Sequence, residues 1–289
     1  MKRTSIALTL LVAVTLVLAA CTPAAPAATP TPTAAPDLLD EIMTRGSLRV
    51  STDPNYAPQS FLNDQGELDG FDVDVAKEVA QRLGVKVEFA IPDRDTIVAG
   101  NWGDRWDISI GSMTVTTDRQ QRLYFTPPYY YTPAQFAVPE DSPFQSVDEL
   151  NGKTICVGVA TTYESYLKND GSLTIVSEKV IKQVTGTKIV TNPTDAECAQ
   201  AWQAGRKDFD AWLTSSTTIQ GAIDQGITVK FIGDPIYYED LAIAIDKQHS
   251  KDPTRLVEKL TEIVNAMHSD GTLTNLSNKW YKLDLTTKK

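Results

Sequence analysis

Arg119 follows Ser112 and Thr114 within one short segment and runs on into the polar stretch Gln120-Gln-Arg122. Holding a carboxylate takes a planar, two-pronged cation with hydroxyl and backbone donors beside it, and this segment can supply all three. Taken alone, the simpler reading of Arg119 is a surface arginine paired with Asp118. Asp53 stands shortly before Tyr56, so a carboxylate and a ring could meet a ligand side chain there; equally, Asp53 could cap the turn that follows and Tyr56 could pack on Pro58. Arg94 lies between Asp93 and Asp95. It could stack flat on a ligand or read an acidic side group, or be solvated beside its two neighbours. Ala160-Thr161-Thr162 joins a strand signal to a helix signal, where free backbone N–H groups and the Thr162 hydroxyl can grip an anion, although any α/β domain has such junctions. His249 and His268 lie apart from any Cys or carboxylate pair at ligand spacing, so no metal and no cofactor are expected.

The elements that must position these groups are legible as punctuated periodic runs. Asp37 caps a helix that Gly46 ends, and a strand over 47–53 breaks at Pro54. After a turn over 63–66, Val75, Val79 and Leu83 share one face of a helix that Gly84 stops. A strand over 85–89, a helical stretch over 95–100 and a strand over 106–110 complete the first series. A second series has strands over 154–159, 187–190, 209–213 and 228–232, with helices over 163–168, 195–204 and 217–224 between them. Helix and strand alternate, which argues an α/β chain with a parallel or mixed sheet covered on both faces. Between the series runs the aromatic segment 129–133, and Tyr237-Tyr238-Glu239 follows the second. Helices over 255–267 and 273–281, broken at Gly271, bring no strands of their own and are expected to pack back on the first lobe. Two chain crossings would make a hinge. Trp102 and Trp106 read as packing residues, and 172–184 as a surface insertion.

The ends and the composition bound the setting. Met1-Lys-Arg3 and an uncharged run over 6–20 are too short to stay across a bilayer and read as an export signal over 1–20. The run closes on Leu18-Ala-Ala-Cys21, a small-residue approach to a cysteine that resembles the bacterial lipobox and implies cleavage before Cys21 and its acylation. Residues 22–36 are Thr, Pro and Ala with nothing large to bury, so 21–36 is expected to be a lipid-bearing tether. The net charge of -10, two units more negative without Lys2 and Arg3, makes nucleic acid a poor partner. Cys156 and Cys198 are left as thiols, and export permits them to pair. Both fall in the same predicted lobe, so a disulfide is expected; the alternative is two small buried hydrophobes that never meet.

The segments Thr52-Asp-Pro-Asn-Tyr-Ala-Pro58, Gly70-Phe-Asp-Val-Asp-Val-Ala76 and Asp107-Ile-Ser-Ile-Gly-Ser-Met-Thr-Val-Thr-Thr-Asp-Arg119, continuing to Tyr130, resemble in this order the amino-acid class of periplasmic and lipoprotein solute-binding proteins. The likeness covers nearly everything after Pro36. It implies a type II periplasmic-binding-protein fold: two α/β lobes, 37–132 with 238–289 and 133–237, joined by a two-crossing hinge. It also implies a function, the binding of a small zwitterion, a polar amino acid, between closing lobes for an ABC permease. The partners would be that ligand, the permease and, through lipidated Cys21, the membrane; the protein would be a monomer in the periplasm or at the cell surface, and not an enzyme. On this resemblance Arg119 clamps the carboxylate, the Ser112 carbonyl receives the ammonium, the Thr114 hydroxyl meets the carboxylate, Tyr56 lies against the ligand and Asp53 meets its side chain.

Two positions depart from the family's pattern. Most relatives carry an acid for the ammonium where this chain has Ser215, leaving Asp53 or Glu239 to take that charge, or a ligand without one. Relatives often have an aromatic wall where this chain has Arg94. The alternatives are thus a binder of a carboxylate lacking an ammonium, or an enzyme like the cyclohexadienyl dehydratases of this fold with Asp53 or Glu239 as its acid or base. A sensor lobe is a further rival, and no transmembrane or kinase-like region follows to support it.

Overall fold

A computed structural model describes residues 37–176 and 179–288; the export signal, Cys21 and the tether lie outside the described residues. Asp37 caps α1 (Leu38–Arg45) by accepting the N–H of Asp40 at 3.0 Å. β1 (Ser47–Ser51) leads into a small antiparallel sheet of β2 (Asn55–Tyr56), β3 (Ser60–Leu62) and β4 (Leu68–Asp69). Gly70 then turns the chain with φ +126°, and a Cβ there would sit 2.4 Å from the Gln59 carbonyl oxygen. Only glycine lets α2 (Phe71–Leu83) start so close to that loop. β5 (Lys86–Ala90), α3 (Arg94–Ala99), β6 (Ile108–Thr114), α4 (Arg119–Arg122), β7 (Leu123–Phe125) and β8 (Tyr130–Pro139) follow.

The second series runs β9 (Thr154–Gly158), α5 (Thr162–Lys168), β10 (Lys188–Asn192), α6 (Ala196–Gln203), β11 (Ala211–Ser215), α7 (Ser216–Asp224) and β12 (Val229–Asp246), and the chain closes with α8 (Thr254–Ser269) and α9 (Thr272–Tyr281). The strands form one mixed sheet in the order β10-β9-β11-β8-β12-β6-β1-β5, with β7 on the end of β12. β5, β1 and β6 are parallel, as are β10, β9 and β11, and the long antiparallel pair β8–β12 joins these two blocks. The expected strand over 228–232 and the segment 237–239 are one continuous β12, whose register on β8 shifts between Ile232 and Tyr237. The expected lobe boundaries fall inside β8 and β12.

Each block has its own core. α2 turns Phe71, Val75, Val79 and Leu83 inward, and α8 does the same with Leu256, Leu260, Ile263, Val264 and Met267, onto Val50, Ile108 and Ile243 of the sheet. Each such side chain taken out of water contributes about 1.5–3 kcal/mol, so the C-terminal helices are integral to the first block. In the second block Phe136, Ile155 and Leu213 face one core, and Ala137, Trp212 and the Cys156–Cys198 disulfide face another. Trp102 and Trp106 are buried against Ile97 and Met113 as packing residues.

Candidate ligand-binding site

Tyr56, Arg94, Ser112, Thr114 and Thr162, five of the eight expected residues, line one enclosed cavity where the two blocks meet. Its walls close to within about one water: the centre of a water-sized sphere has about 10 Å³ to move in. A larger groove of about 700 Å³, walled by Phe61, Phe231 and Trp280, holds none of the eight.

Ser112 is held in the left-handed region at φ +53°, an uncommon conformation for a side-chain-bearing residue. A buried network over-determines it. Its Oγ donates to Asp72 Oδ2 at 2.7 Å and contacts the Tyr130 hydroxyl, while its N–H donates to the Tyr129 hydroxyl at 3.1 Å. Tyr129 in turn donates to Asp72 Oδ1 at 2.7 Å, and burial pushes the Asp72 carboxyl up to about 7. With its hydroxyl and N–H committed, Ser112 can serve the cavity through its carbonyl. Asp72 therefore positions the turn.

Arg119 is buried, and its guanidinium bridges the blocks. Nη1 donates to the Thr114 carbonyl and Nη2 to the Ala160 carbonyl, each at 2.9 Å. Burial, aided by the charge of Arg94, lowers its pKa to about 10. Arg119 does not itself line the cavity wall. Ala160, also left-handed at φ +56°, turns this carbonyl toward Arg119 while its N–H donates to Glu164 at 2.7 Å. Thr174 and Ile175, in the expected insertion, cross to the segment leading into α4: the Thr117 N–H donates to the Thr174 carbonyl at 2.8 Å, and Ile175 bridges Thr116.

Glu239, from the segment read as a crossing, is buried on the cavity wall. It accepts the Thr114 hydroxyl at 2.7 Å, the Tyr163 hydroxyl at 2.6 Å and the hydroxyl of Thr162. Asp53 does not line this cavity. It lies in an adjoining outer one of about 450 Å³, with Asp93, Asp95 and Glu197, and Arg94 forms part of both walls. Burial raises the Asp53 carboxyl, against the Asn55 N–H at 2.8 Å and Arg94, which act to lower it. Arg94 donates Nη1 to the Gly111 carbonyl at 3.3 Å, and its buried Nε has no partner among the described residues. Ser215 caps α7 by accepting the Thr218 N–H and meets the Tyr56 hydroxyl at 3.4 Å, outside the cavity lining.

Sequence reasoning missed Asp195. It starts the expected helix over 195–204 and looks like a cap, yet in the structure it makes no cap hydrogen bond. Its buried carboxylate lines the cavity and accepts the Gly158 N–H. Burial pushes it up to about 7, against the lowering effect of Arg94 and that N–H. Cys156 and Cys198, joined as expected, tie β9 to α6 on either side of that contact. The cavity thus gathers guanidinium, carboxylate and hydroxyl groups from both blocks, a set complementary to a small molecule carrying both charges.

Residues 48–283 match the bacterial extracellular solute-binding proteins, family 3, and the chain belongs to that family. Its fold is the type II periplasmic-binding-protein fold. The chain is 27% identical over 252 residues to the L-cystine-binding protein TcyJ of Escherichia coli (strain K12), covering 86% of this chain and 88% of that protein. It is 28% identical over 243 residues to the histidine-binding periplasmic protein of the same strain, covering 83% and 89%. The crystal structure of the ancestral amino acid-binding protein AncCDT-1, a precursor of cyclohexadienyl dehydratase, superposes with a TM-score of 0.71 at 31% identity, covering 84% of this chain and 99% of that one. No helix among the described residues is long and apolar enough to cross a membrane.

Proposed function

We propose that this chain is the extracytoplasmic binding component of an ABC importer and that it takes an amino acid between two closing halves, 37–132 with 238–289 and 133–237. The observation that carries the reading is the cavity's charge set: Arg94, Asp195 and Glu239 on its walls, with Arg119 spanning the two sides immediately behind Thr114. On this reading a ligand carboxylate oxygen takes the place that the Ala160 carbonyl holds on Arg119 Nη2, so opening exchanges that contact for water and a ligand exchanges it for a charge-assisted pair. The relatives named for cystine and histidine support an amino acid as the ligand. The acidic outer cavity around Asp53 favours a side chain ending in a cation or a second zwitterion.

The test is a thermal-shift panel of the twenty protein amino acids and L-cystine, since a molecule that binds only the folded chain raises its melting temperature. Arg119→Ala should weaken a binder at least about 100-fold in calorimetry while the chain stays folded; unchanged affinity removes the clamp. A binding protein returns its ligand intact, so conversion of the bound molecule would favour the dehydratase alternative. The lipid anchor belongs to the same proposal and rests on the sequence around Cys21. Cys21→Ser should release the protein from the membrane fraction.

A further inference from the structure

Two carboxylates line the central cavity among the described residues, and they are held in opposite ways. Glu239 has hydroxyl donors on both oxygens, from Thr114, Thr162 and Tyr163. Among the described residues Asp195 receives one N–H, that of Gly158, and no side-chain donor. Leaving a buried carboxylate so poorly matched is unfavourable, yet the chain builds this arrangement firmly. Gly158 admits the contact because a Cβ there would lie 2.6 Å from Asp195 Oδ1. The parallel pairing of Asn192 with Gly158 brings the β10 end alongside. The disulfide then ties Cys156, two residues before Gly158, to Cys198, three residues after Asp195. A carboxylate fixed on three sides, with hydrogen-bonding capacity left over toward a cavity, suits a cation with several N–H donors.

We propose that Asp195 receives the ammonium group of the bound amino acid, while Glu239 serves to hold the hydroxyls of Thr114, Thr162 and Tyr163 in place. This rests on the amino-acid reading of the cavity. The probes are the twenty protein amino acids and L-cystine and, for whichever binds, its 2-hydroxy acid, in which a hydroxyl replaces the ammonium. The wild-type protein should prefer the amino acid at least about 100-fold. Asp195→Asn keeps an acceptor for Gly158 and should lose that preference, with hydroxy-acid affinity changed less than about threefold. An undiminished preference in Asp195→Asn overturns the assignment, as does its collapse in Glu239→Gln instead. If no amino acid binds the wild type, the amino-acid reading falls and takes this assignment with it. A measurement on the wild type alone guards against a variant that does not fold. The charged groups around Asp195 are Arg94, Glu239 and Asp53, and between pH 7.5 and 5, where the ligand keeps its ammonium and the carboxyl titrates near 7, the preference should shrink toward the acid end.

Discussion

Asp107 and Asp195 are both carboxylates taken out of water, and the two regions that hold them treat the charge in contrasting ways. At the entry to β6, Asp107 accepts the Arg49 N–H at 2.8 Å, the Arg49 Nη2 at 2.7 Å and the guanidinium of Arg45, so its charge is matched from two directions. On the cavity wall, Asp195 has one backbone N–H and a carboxyl pushed up to about 7. The first arrangement welds α1, β1 and β6 together. The second keeps a charge under-compensated inside a rigid frame, at a cost to the unliganded protein that a cationic partner would offset. The contrast separates a carboxylate that builds the fold from one that awaits a ligand, even though both are buried.

The sharpest way to break this contrast is Asp107→Ala. It leaves Arg45 and Arg49 facing each other without their shared partner, and loss of one member of such a buried set costs about 3–5 kcal/mol. Denaturant unfolding should show that loss, while the affinity for an amino acid in the refolded native state stays within about threefold. A loss below about 1 kcal/mol would remove Asp107 from the structural role. Replacing both Cys156 and Cys198 by Ala should cost about 4 kcal/mol, because the bridge closes a chain separation of 42 residues. Here the effects should not separate. Slackening the tie between β9 and α6 loosens Asp195 as well, so amino-acid affinity should fall alongside stability, and a stability loss with unaltered affinity would deny the disulfide its part in placing Asp195.

The same two regions explain what the sequence made legible. Ser112, Thr114 and Arg119 come from one continuous string, β6 into α4, where a strand, a turn and a helical start place the groups by local geometry. Asp195 depends on contacts between distant segments: β10 on β9, Gly158 beneath it and Cys198 back to Cys156. An acid at a helix start normally signals a cap, and nothing local says that this one turns toward Gly158 instead. Ser215 is a ligand position only through the family resemblance, which aligns it with an acid; β11 runs into α7 without a loop, and the hydroxyl is taken up as the cap of that junction. The length of β12 was hidden because its register shift between Ile232 and Tyr237 looks, in sequence, like the end of a strand. Asp72 lies in the segment Gly70–Ala76, yet its partners Ser112 and Tyr129 are far along the chain.

The smallest effect is also the one that distinguishes the two carboxylates by sign. Asp195 ionises near 7 when folded and near 3.9 when unfolded. Between those values the folded chain binds more protons than the unfolded one, so this group makes the unliganded protein more stable as pH falls from about 7 toward 4, with a limiting slope of about 1.4 kcal/mol per pH unit. Asp72 contributes with the same sign, and acids with lowered pKa, such as Asp104 and Asp284, contribute with the opposite one. Subtracting the stability curve of Asp195→Asn from that of the wild type isolates the one group. The difference should favour the variant at pH 8 and shrink toward pH 4. Amino-acid affinity in the wild type should run the other way, weakening by up to about tenfold per unit below pH 7 as the carboxyl takes up a proton. A variant that is less stable than the wild type at pH 8 would place Asp195 with Asp107, as a charge the fold has already satisfied.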